Sequence, residues 1–274
     1  MAILKPRISI VTITYNSREF VKDAIESVLG QTYDNMEYIV VDGGSTDGTV
    51  EVIKAYESRI AEWVSEKDEG IADAFNKGLS RATGEYVLFL NSDDMLADEN
   101  VLENIAEKIV ENQSPTMIYG DFDCLNRNSG EIVYQGGIVF YPEKLIYGHI
   151  IPQPCLFTNR RYFEKYGNFD TGYKIAMDYE WFLRGVRKET VIHVPIRVTK
   201  IRGGGISALN PDKAAKEIIS ALRKNGFFSN RFAEYKVRGY FTMRALLRKV
   251  LMRLRLYGLL TKIRDRARSL LYHK

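Results

Sequence analysis

Adjacent acidic side chains are the first sign of chemistry in this chain. Asp93 and Asp94 follow the apolar run Tyr86–Leu90 and the dipeptide Asn91-Ser92. Neighbouring carboxylates repel one another unless a cation or hydrogen-bond donors neutralise them. Hard cations such as Mg²⁺ take oxygen ligands, commonly one or two carboxylates together with substrate phosphates. The competing reading is a helix N-cap, with Asp98 continuing an acidic turn. Placement at the end of a buried strand favours metal and phosphate.

Three other segments carry polar groups that could serve the same site. Asp42–Gly48 (DGGSTDG) is glycine-rich like phosphate-cradling loops, yet it matches neither GxGxxG nor the Walker pattern. Asp42 is expected to accept hydrogen bonds from a base or ribose, and Asp47 to cap the next helix. In Ser65–Gly78 (SEKDEGIADAFNKG), Asp73 and Lys77 stand four apart. They either pair on one helix face or turn toward a nucleotide pocket. In Asp178-Tyr179-Glu180, positions two apart on a helix do not share a face, so at most one carboxylate points into a site. Glu180 has Arg184 one turn on as its partner. Asp178 remains either an N-cap or a general base.

These residues need a scaffold that brings distant segments together. Arg7–Thr14 is an apolar, β-branched run of the kind buried on both faces. Ser17–Leu29 has helical apolar spacing and stops at Gly30. Glu37–Val41 reads as a strand, Thr49–Tyr56 as a helix, Ala61–Ser65 as a short strand and Ile71–Ala82 as a helix. Tyr86–Leu90 is a strand, Leu102–Val110 a helix and Thr116–Tyr119 a strand. This alternation predicts an α/β fold with a mostly parallel sheet covered by helices on both faces. Ligands of such sheets bind beyond the carboxyl ends of the strands. Tyr15-Asn16, Asp42 and Asp93-Asp94 all fall at such ends. Gly120 to Gly205 mixes short strands, turns and a helix near Asp178–Val186, and should receive a second substrate. After Asn210 the pattern is helical. The division expected is 1–210 as one domain, 1–120 for the donor half and 121–210 for the acceptor half, with 211–274 as a basic helical extension.

Composition narrows the class. The 274 residues are 45% hydrophobic and 27% charged, which excludes disordered, collagenous and disulfide-framework proteins. Cys124 and Cys155 read as reduced thiols of a cytoplasmic protein. No targeting segment is evident, and no apolar run reaches the roughly 18 residues a membrane span needs. The net charge of +4 conceals a division: residues 231–274 hold thirteen basic and two acidic residues, against 26 and 33 in the remainder. From Met243 to Leu271, apolar residues such as Leu246, Leu247, Val250, Leu254, Leu259 and Ile263 recur at helical spacing among arginines and lysines. That is the pattern of a basic amphipathic helix interrupted near Gly258. Sparse aromatic interleaving argues against nucleic acid, leaving an anionic membrane surface, the acidic body or a second copy as its partner.

The motifs together resemble a known family. VTITYNS (Val11–Ser17), SVLGQTYDNMEYIVVDGGSTDGT (Ser27–Thr49) and DEGIADAFNKGLSRATGEYVLFLNSDD (Asp68–Asp94) are similar to the bacterial family-2 inverting glycosyltransferases of GT-A fold. IPQPCLF (Ile151–Phe157), AMDYEWFLR (Ala176–Arg184) and GGGIS (Gly203–Ser207) resemble that family's acceptor-half motifs. The resemblance implies that Thr14, Tyr15 and Asn16 form the first donor-binding turn and that Asp42 reads the base. It places Asp68, Asp73, Lys77, Asn91, Ser92 and Asp94 in the nucleotide-sugar pocket. The family's metal motif is commonly Asp-x-Asp; here Asn91-Ser92-Asp93 replaces the first Asp. Asp93 is then the better ligand for Mg²⁺ or Mn²⁺, with Asp94 on metal or sugar. The family's base is the Asp of a Glu-Asp pair; Met177-Asp178 keeps only the Asp, so Asp178 is the base and Glu180 the fallback. Gly203–Ser207 is implied to be a loop near the diphosphate.

The implied reaction moves a sugar from a nucleotide-diphosphate donor to an acceptor hydroxyl with inversion. The acceptor would be a glycan or lipid-linked glycan of surface-polysaccharide assembly, with the enzyme peripheral on the inner face of the cytoplasmic membrane. Two rivals stand: a nucleotidyltransferase of sugar phosphates, and a catalytically decayed, membrane-associated nucleotide-binding protein. The first would want a glycine-rich loop after the first strand, where this chain has Tyr15-Asn16-Ser17-Arg18.

Overall fold

The computed structural model describes residues 5–137, 140–148, 151–254 and 256. The first half runs β1 (Ile8–Thr14), α1 (Val21–Leu29), β2 (Met36–Asp42), α2 (Thr49–Lys54), β3 (Glu62–Ser65), α3 (Ile71–Arg81) and β4 (Tyr86–Asn91). Then come β5 (Met95–Leu96), α4 (Val101–Glu111), β6 (Met117–Leu125), β7 (Ile132–Gly136), β8 (Leu156–Asn159) and α5 (Arg161–Tyr166). The chain continues through α6 (Met177–Gly185), β9 (Val191–Arg202), α7 (Ile206–Leu209), α8 (Pro211–Lys224) and α9 (Arg231–Arg253).

Among the described residues, nine strands form one sheet in the order β3-β2-β1-β4-β8-β6-β9-β5, with β7 added on β6. The four strands β3, β2, β1 and β4 are parallel, as the sequence alternation requires. Their register brings Thr14 opposite Asp42, Ile13 opposite Asn91 and Asp42 opposite Ser65. The polar strand ends are therefore neighbours in space. Beyond β4 the sheet changes sense: β8 pairs antiparallel with both β4 and β6. Residues 121–202 thus complete the sheet begun by the first half.

A parallel strand covered on both faces must be apolar at successive positions. In β1, Ile8 and Ile10 enter a core shared with Val21 and Ile25 of α1 and Ile105 of α4. Val11 enters the opposite core with Phe75 and Leu79 of α3. The contact of α3 with β1 is close enough that a Cβ on Gly78 would fall 2.2 Å from Val11 Cγ1. The second core continues through an aromatic stack that anchors α6. Phe163 lies flat on Trp181 at 4.6 Å between ring centres, and Phe169 bridges Trp181 to Phe75 and Phe89.

The tail is helical, and its two ends behave differently. Near its start α9 packs on the body: Val237 is buried, Phe241 leans on the core, and Tyr240 stacks edge-on against Tyr147. Further along, Met243, Leu246, Leu247 and Val250 are exposed. The expected continuation through Gly258, Leu259, Leu260, Lys262, Ile263, Arg264, Arg266, Arg268 and Leu270 lies outside the described residues. Among the described residues no helix is long and apolar enough to cross a membrane.

Candidate functional site

A cleft of about 1220 Å³ opens at the carboxyl ends of β1, β2 and β4. Its lining includes Thr14, Tyr15, Asn16, Asp68, Asn91, Ser92 and Asp93, together with Arg127, Gly205 and Ile206. Seven of the expected site residues therefore share one cavity. Gly205 and Ile206 bring the GGGIS segment to its rim.

The two strand-end turns that form one wall are laced together. Asn16 adopts a left-handed conformation at φ 48°. Its N–H donates to Ser45 Oγ at 2.7 Å, and Thr46 N–H donates back to Asn16 Oδ1 at 2.9 Å. Ser17 N–H reaches Thr49 Oγ1, and Arg18 N–H reaches Asp47 Oδ2. With the backbone held this way, the Tyr15 ring is left 64% exposed at the cleft.

Asp42 differs from expectation. Its carboxylate is fully buried and accepts from Gly44 N–H, Ser45 N–H, Ser45 Oγ and, at 2.6 Å, Ser65 Oγ. It holds the β2 turn to β3 instead of standing free for a base, because the turn folds its own donors back onto the strand end. Asp73 and Lys77 also stand behind the cleft. Lys77 pairs with Asp73 at 3.3 Å and Glu66 at 3.1 Å and donates to the Lys67 carbonyl; Asp73 accepts from Glu69 N–H. The pair braces segment 66–69, of which Asp68 faces the cleft.

The two adjacent aspartates point apart. Asp93 lines the cleft and is paired with Arg127 at 2.7 Å. Asp94 turns inward, 2% exposed, and accepts from Asn91 Nδ2 and Arg202 N–H. Burial, reinforced by the charge of Asp93, pushes the Asp94 carboxyl up to about 7. Of the adjacent pair, Asp93 alone thus faces the cleft where a divalent cation would bind. Among the described residues no group of three ligating side chains could cage a metal unaided. That donor set suits Mg²⁺ or Mn²⁺ completed by a diphosphate, the usual arrangement for a hard cation that keeps few protein ligands.

Asp178 and Glu180 separate as helical spacing requires. Glu180 is wholly buried, held by Arg184, Lys224 and Asn225. Arg184 and Lys224 keep its carboxyl below its ordinary range against the opposing pull of burial. Asp178, at the start of α6, accepts from Tyr179 N–H, and burial raises its carboxyl to about 6. The segment before it is fixed from a distance. Glu217 of α8 accepts from the backbone N–H of Lys174, Ile175 and Ala176, and Lys174 Nζ donates to the Glu69 carbonyl beside the cleft-lining Gly70.

Three residues were missed by sequence reasoning. Arg127 and Arg202 both stack on Phe20, at 4.7 and 4.9 Å, and both engage Asp93. Glu217 positions the approach to Asp178. No local pattern marks these long-range contacts.

Comparison with known proteins identifies the family and the fold. Residues 9–189 match the family described as Glycosyl transferase family 2. A PGL/p-HBAD biosynthesis glycosyltransferase of Mycobacterium tuberculosis is 29% identical over 182 residues, which cover 65% of this chain and 69% of the relative. The putative teichuronic acid biosynthesis glycosyltransferase TuaG of Bacillus subtilis is 45% identical over 93 residues, 33% of this chain and 37% of TuaG. Among solved structures, TarS of S. aureus superposes with a TM-score of 0.64 at 18% identity, covering 86% of this chain and 43% of TarS. The chain therefore spans less than half the length of TarS. TarS has also been solved with UDP and with UDP-GlcNAc. The likeness establishes the GT-A type of fold.

Proposed function

The chain belongs to glycosyl transferase family 2, and from that premise we propose that it transfers a sugar from a nucleotide-diphosphate donor, with inversion, to an acceptor hydroxyl. The cleft carries this reading: Tyr15, Asn16, Asp68 and Asp93 converge on one cavity at the ends of three parallel strands. Residues 1–120 supply most of the donor side, with Arg127, Gly205 and Ile206 reaching into it, and the rest of residues 121–210 supply the acceptor side. Tyr15 offers an aromatic face to the nucleotide, and Arg127 offers a guanidinium beside Asp93 for the diphosphate.

Asp178 is the general base. A carboxyl raised to about 6 is ionised at neutral pH yet more basic than an ordinary aspartate. It takes the proton of the acceptor hydroxyl as that oxygen attacks the anomeric carbon. The bond to the diphosphate breaks on the opposite face, and a single displacement inverts the configuration. Glu180, consumed by its ion pairs, holds α6 in place. When bound at Asp93, Mg²⁺ or Mn²⁺ supplies charge neutralisation for the departing diphosphate.

The acceptor is a glycan or lipid-linked glycan of surface-polysaccharide assembly, a reading supported by relatives named for PGL/p-HBAD biosynthesis and for teichuronic acid biosynthesis. The exposed apolar and basic residues of α9 suit a peripheral position on the anionic inner face of the cytoplasmic membrane. Incubation of the full chain with a panel of nucleotide sugars and surface-glycan acceptors tests the activity. Release of a nucleoside diphosphate with a glycosylated acceptor supports it. Release of pyrophosphate would instead indicate nucleotidyl transfer.

A further inference from the structure

A second cavity, of about 520 Å³, lies between the turn Pro142–Tyr147, the link from α8 to α9, and α9 itself. That is within the range of about 300–1,000 Å³ usual for small-molecule sites. Ile146, Tyr147, Phe228, Val237 and Tyr240 make its walls apolar, and Lys236 is the charged residue of its lining. Gly239 also lines it, in the interior of α9, and a Cβ there would meet nothing within 4 Å. Glycine weakens a helix interior, and no close approach requires one here. Its effect is to leave the cavity open.

The cavity stands on the same end of the body as Asp178. Helix α8 runs alongside α6 in the same sense: Glu217 holds the N–H groups of Lys174–Ala176, and Lys224 and Asn225 reach Glu180. Helix α9 then runs back along α8. Glu234 pairs with Arg223 near its start, and Phe241 and Ile218 both close on Gly148 further along. The outer part of α9 therefore returns to the end of α6 where Asp178 lies. The wall formed by Ile146 and Tyr147 is tied there too, because Tyr179 Oη donates to the Leu145 carbonyl. Met243 lines the cavity and is 65% exposed, so the apolar lining continues onto the open surface of Leu247 and Val250.

Charge selects the occupant. Helix α9 carries seven basic residues and one acidic residue, Glu234, which Arg223 and Arg238 already pair. A second copy of α9 would bring like charge against it. So would residues 257–274 of the same chain, with five basic residues and one acidic. An amphiphile with an anionic head and an apolar chain complements both the lining and its rim. We propose that this cavity takes the hydrocarbon chain of a lipid-phosphate acceptor, with Lys236 beside the phosphate and the glycan extending toward Asp178. The proposal rests on the acceptor reading above. It gives the chain a pocket of its own, apart from the general affinity of α9 for a membrane surface.

The test is titration of the full chain with geranylgeranyl diphosphate, with inorganic diphosphate as the head alone and dihexanoyl phosphatidylglycerol as a membrane-lipid probe. Wild type is expected to bind the prenyl diphosphate more tightly than either control. Gly239→Leu places a side chain in the cavity and suits a helix better than glycine. It is expected to weaken prenyl diphosphate by about 10-fold or more, the effect of excluding about two methylene groups from an apolar site. Inorganic diphosphate binding and transfer to a lipid-free glycan acceptor should stay at the wild-type level. Met243→Glu, at an exposed position of the same lining, should weaken prenyl diphosphate as well.

Several results overturn the cavity's role while leaving glycosyl transfer standing. They are a wild type that binds prenyl diphosphate no better than inorganic diphosphate, variants that bind it as wild type does, and equal or tighter binding of phosphatidylglycerol. A dimer that Gly239→Leu converts to monomer would assign the cavity to a second copy. A Lys236–Lys262 cross-link lost in Gly239→Leu would assign it to the chain's own tail. A wild type that transfers sugar to no acceptor, with or without a lipid, would overturn the functional reading and the cavity's role with it.

Discussion

Asp93 Oδ2 lies 2.7 Å from Arg127 Nη1, so the carboxylate best placed to hold a cation is already paired with a guanidinium. Arg127 leans on Phe20, and Arg202 stacks on the same ring while donating to the Asp93 carbonyl. Two positive groups thus converge where a diphosphate would need them. The expected consequence of Asp93→Asn is a folded protein with most of its turnover lost. Circular dichroism should be unchanged, because Asp93 is partly exposed and its partner is a surface arginine. Turnover should also depend on added Mg²⁺ or Mn²⁺. Undiminished turnover in EDTA would contradict the role given to Asp93.

Asp178 sets the expected pH dependence. Its carboxyl is raised to about 6 by burial, and only the ionised form can accept a proton. The value of kcat/KM should therefore fall below about pH 6 and level off above it. Asp178→Asn should remove that limb and lower kcat by about 10²–10⁴, the usual contribution of a general base. Donor binding should change little. A profile that is flat through pH 5–7 in the wild type would exclude Asp178 as the base.

Glu217 is a positioning residue for the same helix. Its carboxylate gathers three backbone N–H groups just before α6, from a helix about 40 residues away in sequence. Glu217→Gln keeps the shape but loses the charge that strengthens these bonds. A loss of about 1–3 kcal/mol in stability is expected, measured by urea denaturation. A fall in kcat with an unchanged donor KM should accompany it. A stability loss with kcat unaltered would confine Glu217 to holding the fold.

The outer part of α9 should carry membrane affinity. Removal of the whole helix is a poor test, because Val237 and Phe241 belong to the core. Replacing Leu246, Leu247 and Val250 by Gln alters only exposed positions. The wild-type chain should sediment with anionic vesicles and be released by salt. The triple variant should remain in the supernatant with its donor binding intact. Equal sedimentation of the two proteins would remove the membrane role.

The parallel half of the fold was legible because strands covered on both faces must be continuous apolar runs, as Ile8–Thr14 and Tyr86–Leu90 are. The cleft was legible for the same reason, since polar residues directly after such strands have nowhere to go but the sheet edge. The antiparallel insertion of β8 between β4 and β6 was not, because Leu156–Asn159 is only four residues long and carries no periodicity of its own. Asp42 misled because its local turn supplies the donors that bury it. Arg127, Arg202 and Glu217 act on residues far away in sequence, and no spacing rule reports such contacts.

The anomeric configuration of the product tests the central claim most directly. With the accepted donor identified, NMR of the initial product should show the configuration opposite to that of the donor, as a single displacement assisted by Asp178 requires. A product that retains the donor configuration would contradict the account, because it would demand a second displacement that the proposed roles do not supply.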